Sequence, residues 1–211
     1  MSIDLLPDPD RLRAIITDVI DAWHAHEADL ADWEAAERLL AGPEDPEWER
    51  LAWRLQLINT FQWHEEDRSR AHGAGDAVLA AVKRSIDASN RRRVQTIDAL
   101  DVHLVHAATE AGVNAPGGVL HSETPGSIID RLGVLGLKRY HVAEAVAACD
   151  PADRPAMQAR LDTLEEQVSD LMDCLERLLA DILAGRVRLK LYRQVKVYRD
   201  PATGRLRADV S

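Results

Sequence analysis

The chain has 211 residues, 46% hydrophobic and 29% charged, with a formal net charge of −10. That length and balance fit a globular chain with its own core and exclude a disordered one. An acidic body argues against general nucleic-acid binding, and no apolar run approaches the roughly 20 residues of a membrane span.

In chain order the pattern is helical. "PDPDRLRAIITDVIDAWHAH" offers Asp8 as a cap and reads as a first helix. A short helix follows near Leu30 to Leu40, and "AGPEDPE" breaks the chain. A second long helix is expected from about Pro46 to Ala71 and a third from about Ala77 to Thr109. "HGAGD" separates them, with Asp76 as N-cap. "GVNAPGGVLHSETPGS" reads as a loop. A fourth helix starts at Pro125 and ends near Cys149, and "DPADRP" opens a fifth that reaches about Ala184.

The fifth helix carries Met157, Leu161, Leu164, Val168, Leu171, Leu175, Leu178 and Ile182 at alternating spacings of four and three. Such a stripe is a packing seam, within one chain or between two. Beyond Gly185 the period changes. Val187, Leu189 and Leu191 alternate with Arg186, Arg188 and Lys190, the pattern of a strand or extended arm, before a "DPATG" turn. Residues 186–211 hold eight basic and two acidic residues, a net of +6, which leaves −16 on the remainder. The arm is expected to dock on the acidic body or on a neighbouring subunit; binding phosphate is its alternative use. The expected fold is all-α: an antiparallel bundle of about five helices over residues 1–185, with a basic extended arm over 186–211.

Polar residues enter the apolar seams of three helices. At about 100° per residue, Trp48, Ala52 and Leu55 lie on one line of the second helix, and Asn59, Gln62 and Glu66 continue it. His64 falls on the opposite side, which is also apolar through Trp53 and Leu57, so this helix is central in a bundle or lies at an oligomer interface. In the third helix Leu79, Val82, Ile86, Ile97, Leu100 and Leu104 form the seam. Asn90 and Arg93 occupy its inward positions, Asp101 its margin, and Asp87 and Asp98 one flank. In the fourth, Ile128, Leu132 and Leu135 share a face, while Asp130 and His141 bracket the other and Arg131 lies beside Lys138. Buried carboxylates and guanidinium groups must be paired, so one polar cluster shared by three helices is expected. It serves either as a site or as an ion-pair network that sets helix register.

At the start of the fourth helix, Thr124 caps, Pro125 suits the first position, and Gly126 and Ser127 offer N–H groups to an anion, with Arg131 just beyond. Established motifs are missing. There is no P-loop, "HEED" is not the HExxH of a zinc protease, and no Gly-x-Ser-x-Gly elbow is present. His103 and His106 are spaced to chelate but lie off the seam. Cys149 and Cys174 have no ligand spacing, and "MSIDLLPDPD" has no secretory character, so a reduced, cytoplasmic protein is expected.

The stretches "WHEEDRSR", "IDASNRRRVQTID", "SETPGSIIDRLGVLGLKRYH" and "LYRQVKVYRDP" resemble a bacterial family described as domain of unknown function 4254. The resemblance covers most of the chain beyond residue 55. It carries over Trp63, Glu66, Asp67, Arg70, Asp87, Asn90, Arg91, Asp98, Ser122, Glu123, Thr124, Asp130, Arg131 and His141. It implies an intracellular setting near nucleotide-sugar or polysaccharide metabolism, with no reaction attached. A fold-level analogy to all-helical nucleoside-triphosphate pyrophosphohydrolases lacks their repeated acidic pairs here.

The first expectation is a pocket for a small polar or phosphorylated ligand, with a divalent metal as a candidate cofactor. Glu66, Asp67, Asp98 and Asp130 are its candidate catalytic residues. Asn59, Trp63, Asn90, Arg93, Thr124, Arg131 and His141 are its candidate ligand-binding residues. The alternative is a non-catalytic homo-oligomeric interaction or scaffold protein whose polar cluster is structural; a homo-oligomer, a dimer first, is expected under either reading.

Overall fold

The computed structural model describes residues 6–70, 75–114, 117–191, 195–199 and 203–210, with side chains of 195–199 and 207–210 left aside. It is the all-α bundle expected. The helices are α1 (Pro9–His26), α2 (Trp33–Leu39), α3 (Glu47–Ser69), α4 (Asp76–Glu110), α5 (Pro125–Ala148) and α6 (Arg154–Leu183). A 3-10 turn at Glu27–Asp29 joins α1 to α2. None of the described helices is long and apolar enough to cross a membrane.

Local chemistry explains the helix starts. Asp8 accepts from the Arg11 N–H, with Pro9 at the first helical position of α1. Thr124 and Ser127 form a reciprocal capping box at the start of α5. Asp76 differs from its expected role: Gly75 is the cap, and Asp76 is the first helical residue, where its charge meets the positive end of the helix dipole.

Helix α3 is the centre of the fold and packs against α1, α2, α4 and α5. Its two apolar sides therefore find partners inside one chain, and Trp48, Leu51, Leu55, Leu57, Ile58 and Phe61 are all buried. Hairpins α3–α4 and α5–α6 make the longest helix–helix contacts. The α6 stripe packs on α5: Leu175, Leu178 and Ile182 are buried, whereas Leu161, Leu164, Val168 and Leu171 are half-buried.

Two small two-stranded sheets are present among the described residues. β1 (Val119–Leu120) pairs in parallel with β2 (Val187–Arg188), which ties the start of the basic arm to the loop before α5. β3 (Val195–Arg199) and β4 (Leu206–Val210) form an antiparallel hairpin in register from Val195↔Val210 to Arg199↔Leu206. Most of the expected "DPATG" turn lies outside the described residues; Gly204, which closes it, has φ +67°, a conformation glycine supplies at least cost.

Candidate functional site

Asn59 on α3, Arg93 on α4 and Asp130 on α5 meet where the three helices converge. Arg93 is bidentate on Asp130, with Nε 2.7 Å from Oδ1 and Nη2 2.5 Å from Oδ2. The Asn59 amide donates to the same Oδ1 at 3.1 Å. Asp130 is buried, so a charged fork and a neutral donor together replace its lost hydration. Hydrogen bonding to Asp130 raises the Arg93 pKa above its ordinary value, against the opposing effect of burial.

Beside this knot lies a cavity of about 230 Å³. Asn59, Gln62, Trp63 and Glu66 line it from α3, Arg93 from α4, Val134 and Leu137 from α5, and Arg70 at the end of α3. The spacing of Asn59, Gln62 and Glu66 puts them on one helical face. Gln62 Nε2 donates to Asn90 Oδ1 at 3.0 Å, while the buried Gln62 Oε1 has no donor among the described residues. The Ser69 hydroxyl donates to the Glu66 backbone carbonyl, while the Glu66 carboxylate has no hydrogen bond or ion pair with any described residue. Glu65, which spacing does not single out, is the more deeply buried neighbour and pairs with Arg68 at 2.5 Å.

A second cavity, of about 370 Å³, lies between α1, α5 and α6, lined by residues such as Ile16, Leu132 and Met172. Arg13, Asp21, Arg139 and Glu165 also line it, and it holds no buried polar atom without a partner among the described residues.

The other candidate residues lie elsewhere. Asp67 is exposed and pairs with Arg70 at 3.0 Å. Asp98 is exposed on a groove shared with Asp101 and Thr124. Arg131 is exposed and pairs with Glu123 at 2.6 Å. His141 points into a different cluster, described below.

The start of α5 already holds an anion of the chain's own. Asp101, 4% exposed, accepts from the Gly126 N–H at 2.7 Å and from the Thr124 hydroxyl. Burial pushes its carboxyl up to about 6, against the downward pull of these two hydrogen bonds, while nearby Asp98 adds to the rise. Gly126 is required for this approach. A Cβ there would lie 2.7 Å from Asp101 Oδ1 and 3.0 Å from the Ile97 carbonyl oxygen. Gly126→Ala is expected to destabilise the fold by about 1–3 kcal/mol, the usual cost of overpacking, because the second obstacle is backbone. Urea denaturation checks this, and an unchanged midpoint would mean that α4 and α5 separate freely.

A second cluster joins α1, α3 and α5. His24, His64 and His141 each present one ring nitrogen within 4.8 Å of the others. Burial, first, and the neighbouring His24 and His141 hold the His64 pKa below its ordinary value, against the opposing charges of Glu27 and Asp67. Helical phase separates His64 from Glu66 but does not bring in His24. A signal was nonetheless present: an aromatic residue precedes histidine at Trp23-His24, Trp63-His64 and Tyr140-His141.

Residues 49–191 match the model of a family described as "Protein of unknown function (DUF4254)". No curated protein and no solved structure matches. The matched stretch contains the whole Asn59–Arg93–Asp130 knot and its cavity; His24 precedes it.

Proposed function

The chain belongs to the DUF4254 family, and we propose that it binds a small hydroxyl-bearing molecule, such as a monosaccharide phosphate, in the cavity beside the Asn59–Arg93–Asp130 knot. One observation carries this reading: on one face of α3 the half-buried Glu66 carboxylate and the buried Gln62 Oε1 have no donor among the described residues. An unpaired buried acceptor costs about 1–3 kcal/mol, which a ligand hydroxyl recovers. Trp63 supplies an apolar wall suited to a sugar ring. The volume, about 230 Å³, falls below the roughly 300–1,000 Å³ of drug-sized sites and so admits about one ring.

The cationic groups set the polarity of the ligand. Arg93 is committed to Asp130, and its charge is largely neutralised there. Among the described residues Arg70 pairs with the exposed Asp67, a pairing of small worth, so it can turn to a phosphate at the cavity mouth. Glu66 is the one carboxylate among the described residues that line the cavity, so a divalent metal would need the ligand's own oxygens there. A place in nucleotide-sugar or polysaccharide metabolism is compatible with this ligand class.

The test is a thermal-shift and calorimetric comparison of monosaccharides, monosaccharide phosphates and inorganic phosphate. Monosaccharide phosphates should raise the melting temperature of the wild type. Glu66→Gln should melt as the wild type does and bind about 10–100-fold more weakly, the cost of removing a charged hydrogen bond. A variant that unfolds, together with a wild type that none of these compounds stabilises, would leave Glu66 a structural residue.

A further inference from the structure

We propose that His24, His64 and His141 form a binding site for one divalent transition-metal ion of the Zn²⁺ class, with a coordination position left open. The site is separate from the sugar-sized cavity and does not rest on that reading.

Three features carry it. First, the Nε2 atoms of all three rings are buried and without a hydrogen-bond partner among the described residues. Each Nδ1, in contrast, faces an oxygen: His24 Nδ1 is 2.7 Å from the Ile20 carbonyl, His141 Nδ1 3.0 Å from Glu144 Oε2, and His64 Nδ1 3.6 Å from Glu27 Oε1. A carbonyl or carboxylate oxygen can only accept, so the two hydrogen bonds place the proton of the neutral His24 and His141 rings on Nδ1, and the Glu27 carboxylate near His64 Nδ1 favours the same tautomer there. In that tautomer Nε2 is a bare lone pair on each ring. Three lone pairs gathered in one buried place have no donor among themselves, and a cation satisfies all three at once. An oxygen on the far nitrogen is also the usual arrangement behind a metal-bound histidine.

Second, the rings are clamped in a cycle. Trp23 of α1 stacks on His64 of α3, with centroids 5.2 Å apart and planes 15° from parallel. Trp63 of α3 stacks on His141 of α5 at 5.2 Å and 11°. Tyr140 of α5 stacks on His24 of α1 at 4.2 Å and 23°. Each aromatic residue thus backs the histidine of the next helix, not the one beside it in sequence. The three aromatic–histidine dipeptides close one ring of support, which fixes the imidazole planes.

Third, the donor set selects the ion. Imidazole nitrogens suit Zn²⁺ and its neighbours, whereas Mg²⁺ and Ca²⁺ require oxygen. Three histidines on a four-coordinate ion leave one position for water or substrate. Tetrahedral Zn–N bonds of about 2.0–2.1 Å place nitrogens about 3.3 Å apart, so side chains now within 4.8 Å close by small rotations.

Metal alone tests it, without any sugar, so this proposal and the cavity reading fail independently. Chelator-treated full-length protein is titrated with Zn²⁺, and with Co²⁺ for its visible spectrum. The expected result is one ion per chain, the strong absorption of four-coordinate Co²⁺, a higher melting temperature and no response to Mg²⁺. His24→Gln, His64→Gln and His141→Gln should each abolish stoichiometric uptake, while the His103→Gln/His106→Gln double variant retains it. Glu144→Ala should weaken binding by about 10–100-fold, as loss of an outer partner does. Where a histidine variant fails to fold, ¹⁵N shifts of the wild-type imidazoles read the same contact, and Zn²⁺ should move three Nε2 resonances. No stoichiometric uptake, uptake that survives all three substitutions, or unmoved Nε2 resonances overturns the site.

Discussion

Arg93→Met is expected to destabilise the protein by about 3 kcal/mol, the low end of the range for breaking a buried ion pair, because Asp130 is buried while Arg93 keeps 29% of its side chain exposed. Asp130 would keep only the Asn59 amide at 3.1 Å as a charge-facing donor. Its carboxylate would then be buried without a counter-ion. A second substitution separates the pair's net worth from the cost of breaking it. Arg93→Met with Asp130→Leu removes both charges, and an apolar replacement of a buried pair is commonly neutral. Urea denaturation of the two single variants and the double gives the coupling. A loss below about 1 kcal/mol for Arg93→Met would place the pair with surface salt bridges, and the knot would then set little of the helix register.

Helical phase made the knot legible in part. Asn59, Arg93 and Asp130 stand at apolar-seam positions, and a buried charge needs a partner, so a shared cluster followed from spacing alone. Which residue would meet which did not follow, because cross-helix pairing depends on how α4 and α5 are placed around α3. The same limit explains the scattered carboxylates. Asp67 and Asp98 are near the seams in sequence but point to solvent, where pairing costs little. Asp101, which spacing put at a margin, is buried because the start of α5 docks on it. Glu65 is buried beside Glu66 because α3 is enclosed by four helices, so one inward line cannot describe its burial.

His24 shows a different limit. It belongs to the first helix, far in sequence from His64 and His141, and no spacing rule spans that distance. The repeated aromatic–histidine pair is a composition signal that becomes geometric only once α1, α3 and α5 are adjacent. Trp63 then connects both candidate sites: it lines the sugar-sized cavity and stacks on His141. A ligand that moves the Trp63 ring would therefore reach the histidine cluster through one side chain.

Asp101→Asn is expected to make the fold more stable at pH 8 by on the order of 3 kcal/mol and to have little effect near pH 4. The carboxyl stands at about 6 in the folded chain, against 3.8 for the free side chain. A raised carboxyl favours the protonated folded state. Its contribution is complete below about 3.8 and is lost as pH rises through about 6, where the charge must be carried in a buried site. The difference of roughly two units, at 1.36 kcal/mol each, sets the order of magnitude. Asparagine keeps an acceptor for the Gly126 N–H and carries no charge. Its amide can donate to the Thr124 hydroxyl oxygen, which reverses that bond and does not delete it. Urea denaturation of both proteins from pH 4 to pH 8 measures the effect. A gap between them that opens across pH 4–6 and is steady above about 7 is the expected curve. A constant gap would mean that Asp101 titrates alike in the folded and unfolded chains. The two hydrogen bonds at the start of α5 would then fully offset its burial, and this helix start would prefer an anion after all.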